Sequence, residues 1–160
     1  MNGEPEIMNA TGIAIDGKVV LLRGPSGSGK SDLALQLVGR GHKLISDDYV
    51  HLVAGDLGPL AAPPRAISRL IEARGVGVVR LHPDQVSKQA PIALIVDLVP
   101  RSEVPRLPDN QVAQVLGLDI PRLRLHAFDT STPVKIELAL RNPLANEDGV
   151  VPSDPASLPN

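Results

Sequence analysis

The sequence predicts a single α/β domain organised around a phosphate-binding loop. Three observations carry this expectation. An apolar strand pattern, Lys18 to Leu22, runs directly into the glycine-rich segment Gly24 to Ser31. A helical pattern follows at once, and a second apolar run, Ile92 to Val99, suits a central buried strand. The chain has 160 residues, enough for one domain that buries roughly 68–70% of its unfolded surface, so a full core needs no second domain.

The elements can be justified in order. Thr11 to Ile15 and Lys18 to Leu22 flank Asp16-Gly17, a dipeptide that supplies the positive φ angles of a tight hairpin turn. After the glycine-rich segment, Leu33, Ala34, Leu37 and Val38 fall on one helical face and Asp32, Gln36 and Arg40 on the other, with Gly39 and Gly41 as the stop. Lys43 to Ser46 reads as a short strand ending in Asp47-Asp48; Tyr49 to Val53 continues extended to a turn at Gly55. Gly58-Pro59 through Pro63-Pro64 reads as a loop, and Ile71 to Val79 as a strand or turn containing two close glycines. Three prolines and alternating charges mark residues 100–111 as a mobile loop, and Arg122 to His126 as a short strand. Thr132-Pro133 reads as an N-cap followed by Pro at the first helical position. The alternation of Val134, Ile136, Leu138 and Leu140 resembles a strand, but the proline start and the Ala, Leu, Lys and Glu content favour a helix. Residues 1–7 are expected to be a flexible N-terminus, 8–141 the domain, and 142–160 a disordered tail rich in Pro, Asn, Asp and Ser.

Composition removes several function classes. Sixteen Lys+Arg against eighteen Asp+Glu give a net charge of −2, with no basic block for a nucleic-acid footprint. One Tyr, one Phe and no Trp leave no aromatic platform on which the bases of a nucleic acid could stack. Zero cysteines exclude disulfides, thiolate zinc sites and a Cys nucleophile, and fit a cytoplasmic chain. The start, Met1-Asn2-Gly3-Glu4-Pro5-Glu6, lacks the basic and apolar regions of an export signal. The apolar run from Ile92 is stopped by Asp97, far short of the ~20 residues of a spanning helix, so neither a membrane nor a nucleic acid is an expected partner.

The segment Gly24-Pro25-Ser26-Gly27-Ser28-Gly29-Lys30-Ser31 satisfies G-x-x-x-x-G-K-S without a gap. Glycines let successive backbone N–H groups turn onto phosphate oxygens, and the helix N-terminus adds a favourable dipole. In this pattern Lys30 reaches the β- and γ-phosphates and the Ser31 hydroxyl binds Mg²⁺. A chance Gly/Ser connection is the competing explanation; the strand before it and the helix after it weigh against that.

Asp47 lies 17 residues after Lys30, room for one helix and a return strand that ends beside the loop. One carboxylate there can hold Mg²⁺ and another can take a proton from an attacking hydroxyl; a polar strand end capping a turn is the alternative. Glu72 sits in an apolar run and needs a partner, either a metal or Arg74. His42 follows Gly41 and is most simply a C-terminal capping cation. Arg106 lies in the Pro-rich loop, where an arginine is usually just solvated and a closing phosphate clamp is the functional alternative.

Three blocks together, Gly24 to Ser31, Arg40-Gly41-His42-Lys43-Leu44-Ile45-Ser46-Asp47-Asp48 and Ile71-Glu72-Ala73-Arg74-Gly75-Val76-Gly77, resemble the catalytic domain of bacterial HPr kinase/phosphorylase in order and spacing. Similarity covers roughly residues 8 to 141, without the family's usual N-terminal domain. The stretch Phe128 to Lys135 looks like the short branch found in alphaproteobacteria. The resemblance implies a phosphoenolpyruvate-carboxykinase-like mixed sheet. It also implies an enzyme that phosphorylates a serine of the carrier HPr with ATP and removes that phosphate by phosphorolysis, releasing pyrophosphate. Gly24, Pro25, Ser26, Gly27, Ser28, Gly29, Lys30 and Ser31 would bind ATP, with Lys30 stabilising the transferred phosphoryl. Ser31 and Glu72 would bind Mg²⁺ or Mn²⁺. The Asp47-Asp48 pair would supply base and acid, Asp48 matching the family's proton acceptor. Arg106 matches the arginine of the flexible loop, and the family's hexamers imply a homo-oligomer.

Two positions depart from the family pattern. Met8-Asn9-Ala10-Thr11 stands where the family has a histidine in its first strand, and Asn9 can hydrogen-bond but cannot carry a proton. A slower enzyme, or one biased toward one direction, is the expectation. Leu125-His126-Ala127-Phe128 replaces an Arg-rich Pro-Gly turn. The competing functions are a small-molecule phosphate-loop kinase, whose lid and nucleoside residues are not found, and a nucleotide-sensing module without catalysis, which Asn9 keeps open.

Overall fold

The computed structural model describes residues 5–108 and 110–142. Strand β3 (Lys18–Arg23) is apolar from Val19 to Leu22 because both its faces are covered there. Val20 and Leu22 join the cluster under the two helices, whereas Val19 and Leu21 join a second cluster on the opposite side of the sheet. Strand β2 (Thr11–Ile15) pairs antiparallel with β3 through the expected turn, where Asp16 and Gly17 have φ of 51° and 79°. Strand β9 (Ala90–Leu98) runs parallel to β3 on its other side, from Ile92 to Asp97.

The remaining strands extend this centre into a nine-stranded mixed sheet. Strand β4 (Lys43–Ser46) lies beyond β2. Strands β1 (Glu6–Asn9), β5 (Tyr49–Gly55) and β6 (Gly58–Ala62) follow one another antiparallel, and β6 meets the start of β9. The end of β9 pairs instead with β11 (Leu118–Leu125), which forms a hairpin with β10 (Gln111–Val115). Helix α1 (Lys30–Gly39) buries Leu33, Ala34, Leu37 and Val38 as its periodicity requires. Strands β7 (Leu70–Ala73) and β8 (Gly77–Arg80) make a separate hairpin, in which Gly75 lies in the turn and Gly77 opens β8 opposite Ala73.

Several expectations are corrected. Gly58 to Ala62 is a strand rather than a loop. Pro59 is tolerated because the β6–β9 ladder involves only Leu60 and Ala61, so its missing N–H costs no cross-strand bond there. Strand β1 starts at Glu6, inside the stretch read as flexible, while residues 1–4 and the tail beyond Asn142 lie outside the described residues. The strand expected at Arg122 to His126 begins at Leu118 and ends at Leu125. The loop at 100–111 contains a short 3-10 turn, Arg101–Glu103, tied by Arg101 to Asp129. Helix α2 (Thr132–Arg141) forms where expected and fully buries Ile136, leaving Val134 and Leu138 exposed. Its N-cap is Ser131, not Thr132; the Thr132 hydroxyl donates to the His126 carbonyl at 2.5 Å.

Candidate functional site

The phosphate loop fills the turn between β3 and α1, so those two elements place it. Gly29 is the N-cap of α1 with φ of 99°, and a Cβ there would stand 2.6 Å from the Ala127 Cβ and 2.9 Å from the Phe128 ring. The left-handed backbone and the close approach both demand glycine. Lys30 is 7% exposed and spans the loop, its Nζ donating to the carbonyls of Gly24 at 2.6 Å and Pro25 at 3.4 Å. The base of the loop is clamped by Asp97 near the end of β9. Asp97 accepts from Arg23 at 2.8 and 3.1 Å and also from Arg122. Burial pushes the Asp97 carboxyl up, but the two guanidiniums outweigh it and hold the group below its ordinary 3.8.

The two carboxylates after β4 have separate environments. Asp47 is 7% exposed, and its Oδ1 accepts from Thr11 Oγ1 at 3.0 Å and from Ser31 Oγ at 2.8 Å. Its Oδ2 accepts from the Glu72 N–H at 3.0 Å, so one side chain ties together β2, β7 and the first turn of α1. Asp48 has φ of 65°, and this left-handed turn carries its side chain out to line the cleft. Its N–H donates to Thr11 Oγ1 at 3.1 Å. Burial and the negative charge of Asp47, opposed by Lys30, raise the Asp48 carboxyl above its ordinary 3.8.

A cleft of about 260 Å³ collects these groups. Ser26, Gly27, Gly29, Lys30 and Ser31 line it from the loop, Asp48 and Tyr49 from the β4–β5 corner, and Asn9 from β1. Glu72, Arg74 and Phe128 complete it. Glu72 therefore reaches the cleft, and among the described residues it forms no ion pair with Arg74. Arg106 is exposed and does not line the cleft; Arg74 is the arginine that does. Its place two residues past Glu72, in the same glycine-rich stretch, was the available signal. Thr11 is fully buried and carried no signal, since a lone hydroxyl in a strand belongs to no motif. His42 is not simply a capping cation: its Nε2 donates to Glu137 Oε2 at 2.5 Å.

The donor set fits a magnesium ion shared with phosphate. Among the described residues no group of three or more His, Cys, Asp or Glu side chains could hold a metal by itself. The Ser31 hydroxyl gives its proton to Asp47, which leaves its lone pairs for a cation, and the Glu72 carboxylate lines the same cleft. Few protein oxygens, with phosphate oxygens and water completing the shell, is the arrangement Mg²⁺ favours. Among the described residues no helix is long and apolar enough to cross a membrane.

The comparisons with known proteins agree with this geometry. The family model described as HPr serine kinase C-terminal domain matches residues 4–155. The HPr kinase/phosphorylase of Burkholderia lata is 38% identical over 152 residues, covering 87% of this chain and 47% of that protein. That of Ralstonia pickettii is 37% identical over 154 residues, covering 89% of this chain and 47% of that protein. The chain thus spans about half the length of the curated relatives it matches. The HPr(Ser) kinase/phosphatase structure from Coxiella burnetii has a TM-score of 0.77 and 27% identity, covering 90% of this chain and 93% of that one. With the phosphate loop, Asp48 and the Glu72–Arg74 segment lining one cleft, the chain belongs to the HPr serine kinase C-terminal domain family.

Proposed function

We propose that the chain is an ATP-dependent protein-serine kinase that phosphorylates HPr and reverses the modification by phosphorolysis. One observation carries this reading: a cleft-facing carboxyl of raised pKa, Asp48, shares a cleft with the phosphate-loop residues Lys30 and Ser31. The names of the relatives support the choice of HPr as protein substrate and of both directions.

In the kinase direction Asp48 accepts the proton of the serine hydroxyl as that oxygen forms its bond to the γ-phosphorus. Lys30 stabilises the charge that moves onto the nucleotide diphosphate as the old P–O bond breaks. Asp47 holds Ser31, Thr11 and the Glu72 backbone in register, and so positions the cleft rather than exchanging protons. In the reverse direction protonated Asp48 returns its proton to the serine oxygen while inorganic phosphate takes the phosphoryl group, giving pyrophosphate. Ser31 and Glu72 would hold Mg²⁺, which supplies charge neutralisation to the phosphate oxygens. Arg74 is the cleft cation best placed to complement a phosphoryl group, ahead of Arg106. A homo-oligomer, hexameric by family resemblance, belongs to the same reading; Val76 and Val78 on the β7–β8 hairpin and Leu138 on α2 are exposed apolar surface that assembly would cover.

Intact-mass measurement of HPr incubated with the protein, Mg²⁺ and ATP tests the proposal. A single phosphate is expected on HPr and none on a variant whose target serine is alanine; added inorganic phosphate should remove it with release of pyrophosphate. ATP binding without transfer would overturn the kinase reading in favour of a sensor. Asn9 pairs with Tyr49 across β1 and β5 and lines the cleft beside Asp48. Asn9→His is therefore expected to raise turnover several-fold, read as initial rates in both directions, because a protonatable ring tunes the nearby carboxyl. Unchanged rates in both directions would remove that role.

A further inference from the structure

We infer that Phe128 is the shelf on which the base of the bound nucleotide stacks. This deepens the reading of Gly24 to Ser31 as a nucleotide site and rests on it. The chain contains one Phe, one Tyr and no Trp, and both rings are about half exposed, at 53% and 51%, in the same cleft. An exposed ring alone is ordinary. The setting of Phe128 is not, because the segment that carries it is pinned from several sides. Ala127 is 2% exposed and packs on the Gly29 side of the loop. His126 Nδ1 donates to the Val99 carbonyl at 2.9 Å, and its ring meets Phe128 edge-on at 5.7 Å and 73°. The Thr132 hydroxyl holds the His126 carbonyl, and Arg101 pairs with Asp129. These contacts fix the ring against the phosphate loop at Gly29 while leaving half of it open.

Topology decides which end of a nucleotide meets it. In the sheet the order runs β4, β2, β3, β9, and then β11 beside the end of β9. The phosphate loop leaves β3 at the centre of that row. Asp47 and Asp48 follow β4 on one flank, and Phe128 follows β11 on the other. A triphosphate held by the loop with its γ end toward Asp48 must send its nucleoside toward the opposite flank, where Phe128 stands. Tyr49, adjacent to Asp48, lies at the acceptor end instead. The scarcity of aromatics that argues against a nucleic-acid platform does not bear on a mononucleotide, which needs one ring. Stacking on one aromatic face is tolerant of base identity, so the shelf favours a nucleoside triphosphate over a bare polyphosphate rather than one base over another.

Titration calorimetry with Mg-ATP and with Mg-tripolyphosphate, which keeps three phosphates and has no nucleoside, tests the inference. Phe128→Ala is expected to weaken ATP about tenfold and to leave tripolyphosphate unchanged, the latter showing that the loop remains folded. Phe128→Trp should keep ATP affinity, and because the chain has no other tryptophan its emission should be quenched by ATP and not by tripolyphosphate. Unchanged ATP affinity in Phe128→Ala, or equal losses for both ligands, would overturn the shelf. A defect confined to the KM for HPr would also overturn it, by placing Phe128 against the protein substrate. Wild-type protein that binds neither ligand would overturn the nucleotide site itself, a result distinct from wild-type binding of ATP that the variants leave untouched.

Discussion

Asp48→Asn is expected to lower phosphoryl transfer to HPr by about 10²–10⁴-fold, the range for losing a positioned general base, while nucleotide affinity is retained. Asn is the suitable replacement because position 48 has a left-handed φ of 65°, which Asn adopts more readily than most residues. The carboxamide keeps the shape and cannot take the serine proton. Burial and the Asp47 charge raise the Asp48 carboxyl above 3.8, so the kinase rate should climb as pH rises through that raised value. The phosphorolysis rate, which uses the protonated form, should fall over the same window. The consequence for stability has the opposite sign to that of an ordinary paired aspartate. A carboxyl whose folded pKa lies above its unfolded value contributes stability fully below the unfolded pKa and loses it as pH rises through the folded pKa. Asp48→Asn should therefore melt higher than wild type at neutral pH, with the gap closing in acid. Transfer rates and melting curves followed across pH check both halves; wild-type transfer by the variant would end the assignment of Asp48 as the base.

Glu137→Gln is expected to lower stability by about 3 kcal/mol, the low end of the cost of breaking a buried ion pair, since one partner is partly solvated. Glu137 is 6% exposed on α2, and its carboxylate accepts from Arg40 at 3.0 and 2.5 Å and from His42 at 2.5 Å. Removing its charge leaves the cation at the end of α1 uncompensated. At roughly 2–4 °C per kcal/mol for a domain of this size, the melting temperature should fall by about 6–12 °C. The Arg40 bidentate bond leads the causes that bring the Glu137 carboxyl down to about 2 from 4.5, ahead of the opposing effect of burial and the further help of His42. A depressed folded pKa gives stability above the unfolded value that is lost as pH falls toward about 2. The difference between wild type and variant should accordingly be full at neutral pH and shrink as pH falls below 4.5. Equal melting temperatures at neutral pH would show that packing, not charge, joins α1 to α2.

These two predictions differ in how visible their residues were before the fold was known. The Asp47-Asp48 pair stood out because a strand end 17 residues past Lys30 returns beside the phosphate loop. Which aspartate faces the cleft was not visible, because it depends on the left-handed turn at Asp48 and on Thr11, Ser31 and the Glu72 N–H converging on Asp47. The Glu137 cluster was invisible, since Arg40 and His42 lie 97 and 95 residues from it in the chain.

Local sequence was therefore sufficient for the phosphate loop, both helices, the β2–β3 hairpin and the buried β9. Each is specified by contiguous residues through glycine spacing, turn chemistry or hydrophobic period. Strand β6, the placing of Arg74 at the cleft, the Ser131 cap and the Phe128 ring against Gly29 arise only when separated segments pack together. Their energies come from partners far away in the chain: a ladder shared with β5 and β9, a hairpin folded beside α1, a turn pinned by Val99 and Arg101. Helical period and turn chemistry act within a few residues, whereas burial and hydrogen-bond satisfaction are settled by the whole sheet. For that reason the chemistry of the site was written locally and its division of labour was not.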